Sequence, residues 1–179
     1  MQQVEECMTS RILLTILLFI HPGFEGSIVA QSRAVQGTYR NPALGYSIEI
    51  PRGLRAVMGG QAGPERGIGI SLPSGGIIAV FGEPNSLEWK TPKEGLAGKP
   101  SRPDCDSGAP EIRPVLLGKL QGAMGTLVCG NLVLKSILAF RPGGGPIYWV
   151  RLETTRAHES EDDAVFHRIA ATFRLISWK

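Results

Sequence analysis

The residues of this chain best equipped for chemistry are His158 and His167, with the acidic pair Glu161 and Asp162 close by. Imidazole and carboxylate together can hold a divalent metal or move a proton. The spacing works against both uses. If both histidines were helical, they would stand about 180° apart and could not share a ligand. His158 with Glu161 and Asp162 reads more simply as a solvated acidic first turn, favoured there by the helix dipole. No metal site is expected, and no cofactor.

Nucleophile motifs are missing in the same way. Two residues after Ser71 stands Pro73, and two before Ser74 stands Leu72, so neither serine lies in a G-x-S-x-G elbow. There is no G-x-x-x-x-G-K loop, and no G-x-G-x-x-G opens a helix. Gly67-x-Gly69 falls inside a strand pattern. Gly143-Gly144-Gly145 could offer backbone N–H groups to an anion, but with no helix following it reads as a hairpin turn. No residue is assigned a catalytic role.

Three large aromatic residues are candidates for a binding surface: Trp89, Tyr148 and Trp149. Neighbours along a strand point to opposite faces, so Tyr148 and Trp149 cannot share one. With both faces of the sheet covered, both rings belong to the core. With one face open, an exposed ring marks a partner or ligand surface.

The N-terminal stretch "SRILLTILLFIHPGFEGSIVAQS" has a positive Arg11 followed by an apolar run from Ile12 to Ile20. As a helix that run rises about 14 Å, well short of the ~30 Å hydrocarbon core. It has the form of a signal peptide, with cleavage expected after Ala30. "MTSRILL" makes a better start than the acidic segment before it, which points to Met8 as the true initiator. The expected organisation is a signal peptide over 1–30 and a single globular domain over 31–179. An exported product is implied, periplasmic or secreted, with no stable membrane span after cleavage. Cys7 precedes the apolar run, where lipidation cannot use it.

Cleavage leaves about 149 residues, enough for one domain with a real core. The net charge of +3 for the whole chain becomes about +5 without the acidic leader. The basic residues are scattered, with no two adjacent. Nucleic-acid binding is excluded on that ground, because a nucleic-acid footprint needs clustering. Two cysteines remain, Cys105 and Cys129, and an even count in an exported chain suggests a disulfide. It would tie a proline-rich excursion, residues 83–110, to a strand.

The elements around these residues are mostly strands. "YSIEI", Tyr46 to Ile50, alternates strictly between turns at Asn41-Pro42 and Pro51-Arg52-Gly53, and reads as the first strand of the domain. "GIGISLP" and "GIIAVFG" flank Ser74-Gly75 as a hairpin. The second is apolar on both faces, the pattern of a central strand covered on both sides. "IRPVLLGKLQ", "GTLVCGNLV", "KSILAFRPG" and "IYWVRLETT" read as successive strands. Then the period changes. "SEDDAVFHRIAATF" opens with Ser160 as N-cap and Asp163 three residues on, and Val165, Phe166, Ile169, Ala170 and Phe173 line one stripe. The fold class is α+β: an α/β/α sandwich with a central antiparallel sheet of six to eight strands and a C-terminal helix packed on it. A second helix, from 31–40 or 86–98, would cover the other face.

"YRNPALGYSIEIPRGL" resembles the opening of PsbP-like domains, the fold shared by Mog-type proteins. Tyr39, Asn41, Gly45, Tyr46, Ile48, Ile50, Pro51 and Gly53 carry the likeness. "AVFHRIAATFRL" resembles the family's last helix, with Thr172-Phe173 at its close. The resemblance covers about a fifth of the mature chain. It implies the sandwich above and proteins that bind partners, and it brings no catalytic residue with it. The expected role is therefore an exported, non-enzymatic domain that binds an envelope protein or a ligand. The competing expectation is a small secreted enzyme, hydrolase-like, with its site between the 83–110 excursion and the sheet. The partner and the oligomeric state are not legible.

Overall fold

The computed structural model describes residues 34–58, 66–97, 105 and 110–177. The expected signal peptide, its cleavage site and the alternative start at Met8 lie outside the described residues. So does most of the excursion beyond residue 97.

Eleven strands and two helices follow one another among the described residues. They are β1 (Ala34–Val35), β2 (Thr38–Asn41), β3 (Tyr46–Glu49), β4 (Arg55–Met58), β5 (Gly67–Ser71), β6 (Ile77–Pro84), α1 (Pro92–Ala97), β7 (Glu111–Leu117), β8 (Leu120–Cys129), β9 (Leu132–Phe140), β10 (Pro146–Thr155), α2 (Glu159–Ala171) and β11 (Arg174–Leu175). Eight of the strands form one antiparallel sheet in the order β1-β4-β5-β6-β10-β9-β8-β7, and β11-β3-β2 form a small second sheet. The main sheet thus reaches the upper end of the expected range. Tyr46–Glu49 of that segment does form a strand, but it is the third among the described residues and sits in the small sheet. Of the two regions offered for a second helix, the described part of 31–40 is strand, and 86–98 supplies α1. Pro92 opens α1, where its missing N–H costs nothing.

Register explains the core. Directly paired residues share a face. Ile68, Val80, Val150, Ile137 and Met124 lie in one row across β5, β6, β10, β9 and β8, all buried on the side that α2 covers. Phe166, Ile169 and Ala170 press onto that side from α2, Phe173 does so from just after it, and Val165 packs at its edge. The small sheet completes the cover through Tyr39, Tyr46 and Ile48. Tyr46 stacks on Phe173 with ring centroids 5.4 Å apart, and Tyr148 meets Phe173 at 5.1 Å. Aromatic pairs of this kind add stability beyond their buried area.

Two strand turns, one helix start and the cover of β6 differ from the sequence reading, each for a local reason. "IRPVLLGKLQ" and "GTLVCGNLV" each contain a two-residue turn, Gly118-Lys119 and Gly130-Asn131, so β7, β8 and β9 are offset from those segments. Gly118 and Gly130 both have positive φ, at 59° and 58°. A two-residue turn inside an apolar run looks like strand interior. Helix α2 begins earlier than expected, with His158 rather than Ser160 at the N-cap position and no side-chain cap. The acidic side chains that might have closed a capping box are engaged elsewhere: Asp162 accepts from Ser74 and Thr154, and Asp163 from Lys135. Finally, β6 is covered on both faces only toward its end. On the face away from α2, Phe81 is buried, whereas Ala79 is half-buried and Ile77 is 49 % exposed.

Candidate functional site

Two regions gather the side chains that could meet a ligand. The first is a cleft at one end of the main sheet, where the β2–β3 turn, the end of β6 and the β9–β10 hairpin converge. Ala43, Leu44, Pro84, Phe140, Pro146 and Ile147 give it apolar walls around about 600 Å³, and Asn85, Arg141, Gly144 and Gly145 edge it. The triple glycine is the hairpin turn expected of it, with φ of 80°, 93° and 108°. No bulky side chain therefore stands on that wall. Tyr148 anchors the cleft from below. Its hydroxyl donates to the Leu44 carbonyl at 2.9 Å and accepts from Arg141 Nη1 at 3.1 Å. Burial pushes the Tyr148 phenol above its ordinary value, with Arg141 opposing.

The second region lies on the sheet face opposite α2. Gly67, Phe81, Trp149, Leu138 and Ala123 form one row there. Gly67 is required in it, because a Cβ at that position would stand 2.6 Å from the Phe81 Cβ. Phe81 and Trp149 lie nearly parallel, 20° between planes and 6.3 Å between centroids, and Trp89 meets Trp149 edge-on at 6.3 Å. Asn85 holds the Trp89 backbone at both N–H and carbonyl, at 3.1 and 2.8 Å. Helix α1 closes this end by packing Leu96 into the same cluster. Trp149 donates its indole N–H to Glu83 at 2.7 Å, and Arg66 lies 4.0 Å from the same carboxylate.

The next row contains Gly69, Ala79, Arg151, Ser136 and Gly125. Arg151 is its one large member. Its guanidinium carbon sits 4.4 Å from the Trp149 ring centroid and 4.8 Å from that of Phe81. Burial lowers the Arg151 pKa from the usual arginine value and Glu83 opposes the change. The group stays charged, as arginine does in proteins.

Of the three aromatic candidates, Tyr148 and Trp149 are fully buried, on opposite faces, and Trp89 is half-buried. The structure joins Trp89 to Trp149 and sends Tyr148 to the α2 side. Arg151 and Arg141, which stand beside these rings, were passed over in the sequence. The available signal was position: Arg151 follows Trp149 by two on a strand and so shares its face.

The carboxylates Asp162 and Asp163 of the acidic turn are engaged within the fold. Asp162 is 2 % exposed and holds Ser74 at 2.8 Å and also Thr154, a strut between the β5–β6 hairpin, β10 and α2. Asp163 binds Lys135 Nζ at 2.7 Å, Glu159 binds it at 3.0 Å, and His167 stands 3.6 Å from Asp163. His158 precedes the helix and His167 lies inside it. No cluster able to hold a metal ion is found among the described residues.

Cys105 and Cys129 form a disulfide, which fastens the excursion to the end of β8. The described part of the excursion packs into the sheet through Leu96 and Trp89. Among the described residues, no helix is long and apolar enough to cross a membrane.

No family model matches this chain, and no curated protein matches it in sequence. Solved structures do. The cyanobacterial PsbP protein (CyanoP) of Synechocystis sp. PCC 6803 superposes with a TM-score of 0.53 over 84 % of this chain and 98 % of its own length, at 13 % identity. A protein of Bacteroides thetaiotaomicron VPI-5482 follows with a TM-score of 0.47, at 13 % identity over 80 % of this chain and half of its own. The fold of this chain is PsbP-like.

Proposed function

We propose that this chain is an exported, non-enzymatic domain that binds a partner protein or ligand in the cell envelope, with the sheet-end cleft as its contact region. The observation that carries the reading is the cleft itself. Its walls are apolar, two glycines leave one side bare, and Arg141 stands fixed at its edge by Tyr148. Concave apolar surfaces with a few placed polar groups are where ligands and partner side chains bind. The N-terminal leader and the disulfide support export, since such bonds persist in oxidising compartments.

The test places a photo-crosslinking residue at Ala43, on the cleft rim, and as a control at Lys93 on α1. Both variants are produced in the organism's own envelope, and products are identified by mass spectrometry. One partner captured in near-stoichiometric yield from position 43, and not from 93, is the expected result. Recovery of the folded chain alone from both positions, or equal capture from both, would overturn the reading.

A further inference from the structure

We infer that the sheet face opposite α2 carries a carboxylate-binding site centred on Arg151. The inference rests on the binding reading above but concerns a different surface. Three observations converge on it.

The guanidinium is held in place without being used up. It lies over Trp149 and Phe81 at 4.4 and 4.8 Å, which fixes its plane. Its Nε is buried and has no hydrogen-bond partner among the described residues. Buried polar groups in folded proteins nearly always find one, so an unmet donor here calls for an explanation. Glu83, the carboxylate whose charge reaches Arg151, is already hydrogen-bonded by Trp149 and paired with Arg66.

The neighbourhood leaves room. Gly69, Ala79 and Ser136 share the row with Arg151, and a Cβ built on Gly69 meets none of the described residues within 4 Å. Beyond that row stands Ile77, 49 % exposed. A ligand whose charged end met the guanidinium could rest its apolar part there.

The charge balance selects the ligand. The two Nη groups of a guanidinium match a planar carboxylate in a bidentate contact. One cation beside the negative Glu83 suits a single negative charge better than the double charge of a phosphate. The carboxylate can come from a small organic acid or from the C-terminus of a peptide.

The experiment follows the Arg151 Nε–Hε signal by NMR in the 15N-labelled protein as its cell exports it, assigned with Arg151→Lys. The probes are benzoate, a blocked dipeptide with a free C-terminal carboxylate, the same dipeptide as its amide, inorganic phosphate and chloride. Saturable movement with benzoate or with the free-carboxylate dipeptide, and none with amide, phosphate or chloride, is expected. Benzoate alone assigns a small acid, and the dipeptide alone assigns a peptide end. In Arg151→Lys the affinity should fall at least about tenfold, the scale of a charge-assisted bond. A signal unmoved by both carboxylates, or moved equally by phosphate or chloride, would overturn the site. The wild-type titration decides even where the variant fails to fold. A negative result here with cleft crosslinking intact would remove this site and leave the binding reading standing.

Discussion

The Asp162 carboxylate on α2 accepts the hydroxyl of Ser74, from the turn between β5 and β6, through both of its oxygens, at 2.9 and 2.8 Å. It also accepts Thr154 on β10. One buried side chain therefore joins α2 to the strand before it and to a turn 88 residues away, and Ser74 in turn accepts the Gly76 N–H.

Replacing Asp162 with Ala should cost about 3 kcal/mol, because two hydroxyls lose an ionised partner at a site closed to water. Ser74→Ala should cost about 1 kcal/mol, since Thr154 still holds the carboxylate. Urea denaturation of the three proteins measures both. Equal stability of Asp162→Ala and wild type would show that the strut contributes nothing.

The two glycines that begin two-residue turns should respond differently to alanine. Gly118 and Gly130 have nearly the same φ. A Cβ on Gly118 would collide with the Phe173 carbonyl, whereas one on Gly130 meets nothing within 4 Å. Gly130→Ala should cost about 1 kcal/mol of backbone strain. Gly118→Ala should cost about 2 kcal/mol or more, because the end of α2 must also move. Thermal melts of the pair decide it, and matching losses would contradict the contact with Phe173.

Alkaline pH should weaken the fold. Burial, aided by the neighbouring Tyr39, raises the Tyr46 phenol well above its usual range. Burial also raises Tyr39 and Tyr148. At Lys135 burial works against the charge, but Asp163 and Glu159 outweigh it and the pKa rises. All four folded values thus exceed the unfolded ones, 10.0 for tyrosine and 10.5 for lysine. Their contributions are complete below the unfolded values and disappear as pH climbs through the folded ones. Unfolding free energy should fall above about pH 10, by roughly 1.4 kcal/mol per pH unit for a tyrosine kept neutral. Tyr46→Phe should flatten that slope, and a denaturation series across this range would show whether it does.

Much of the architecture could be read from residue order. Alternation marked Tyr46–Glu49, apolar runs punctuated by Ser74-Gly75 marked the hairpin around it, and the apolar stripe of α2 placed Phe166 and Ile169 on the sheet. What stayed hidden had a common cause. Gly118-Lys119 and Gly130-Asn131 sit inside apolar runs, where nothing but an unusual φ distinguishes turn from strand. The small sheet pairs β11 with β3, and Tyr46 stacks on Phe173, across most of the chain, contacts with no local signal. At the candidate sites the aromatic residues drew attention because of their size. The arginines beside them did not, since a lone arginine on a strand has no motif; its place two residues after Trp149 gives the shared face, and register adds Phe81.

Strand β10 lies between β6 and β9, with eight residue pairs on one side and nine on the other. Its partner β6 is made long before it. Until β10 emerges, β4 to β6 and β7 to β9 are two unfinished hairpin stacks, each ending in a strand whose outer backbone groups are unpaired. Such edges recruit other chains, and seams closed over long sequence distances form slowly. A nascent chain of this topology stays incomplete until β10, in its last fifth, is available, and its two open edges depend on protection until it arrives.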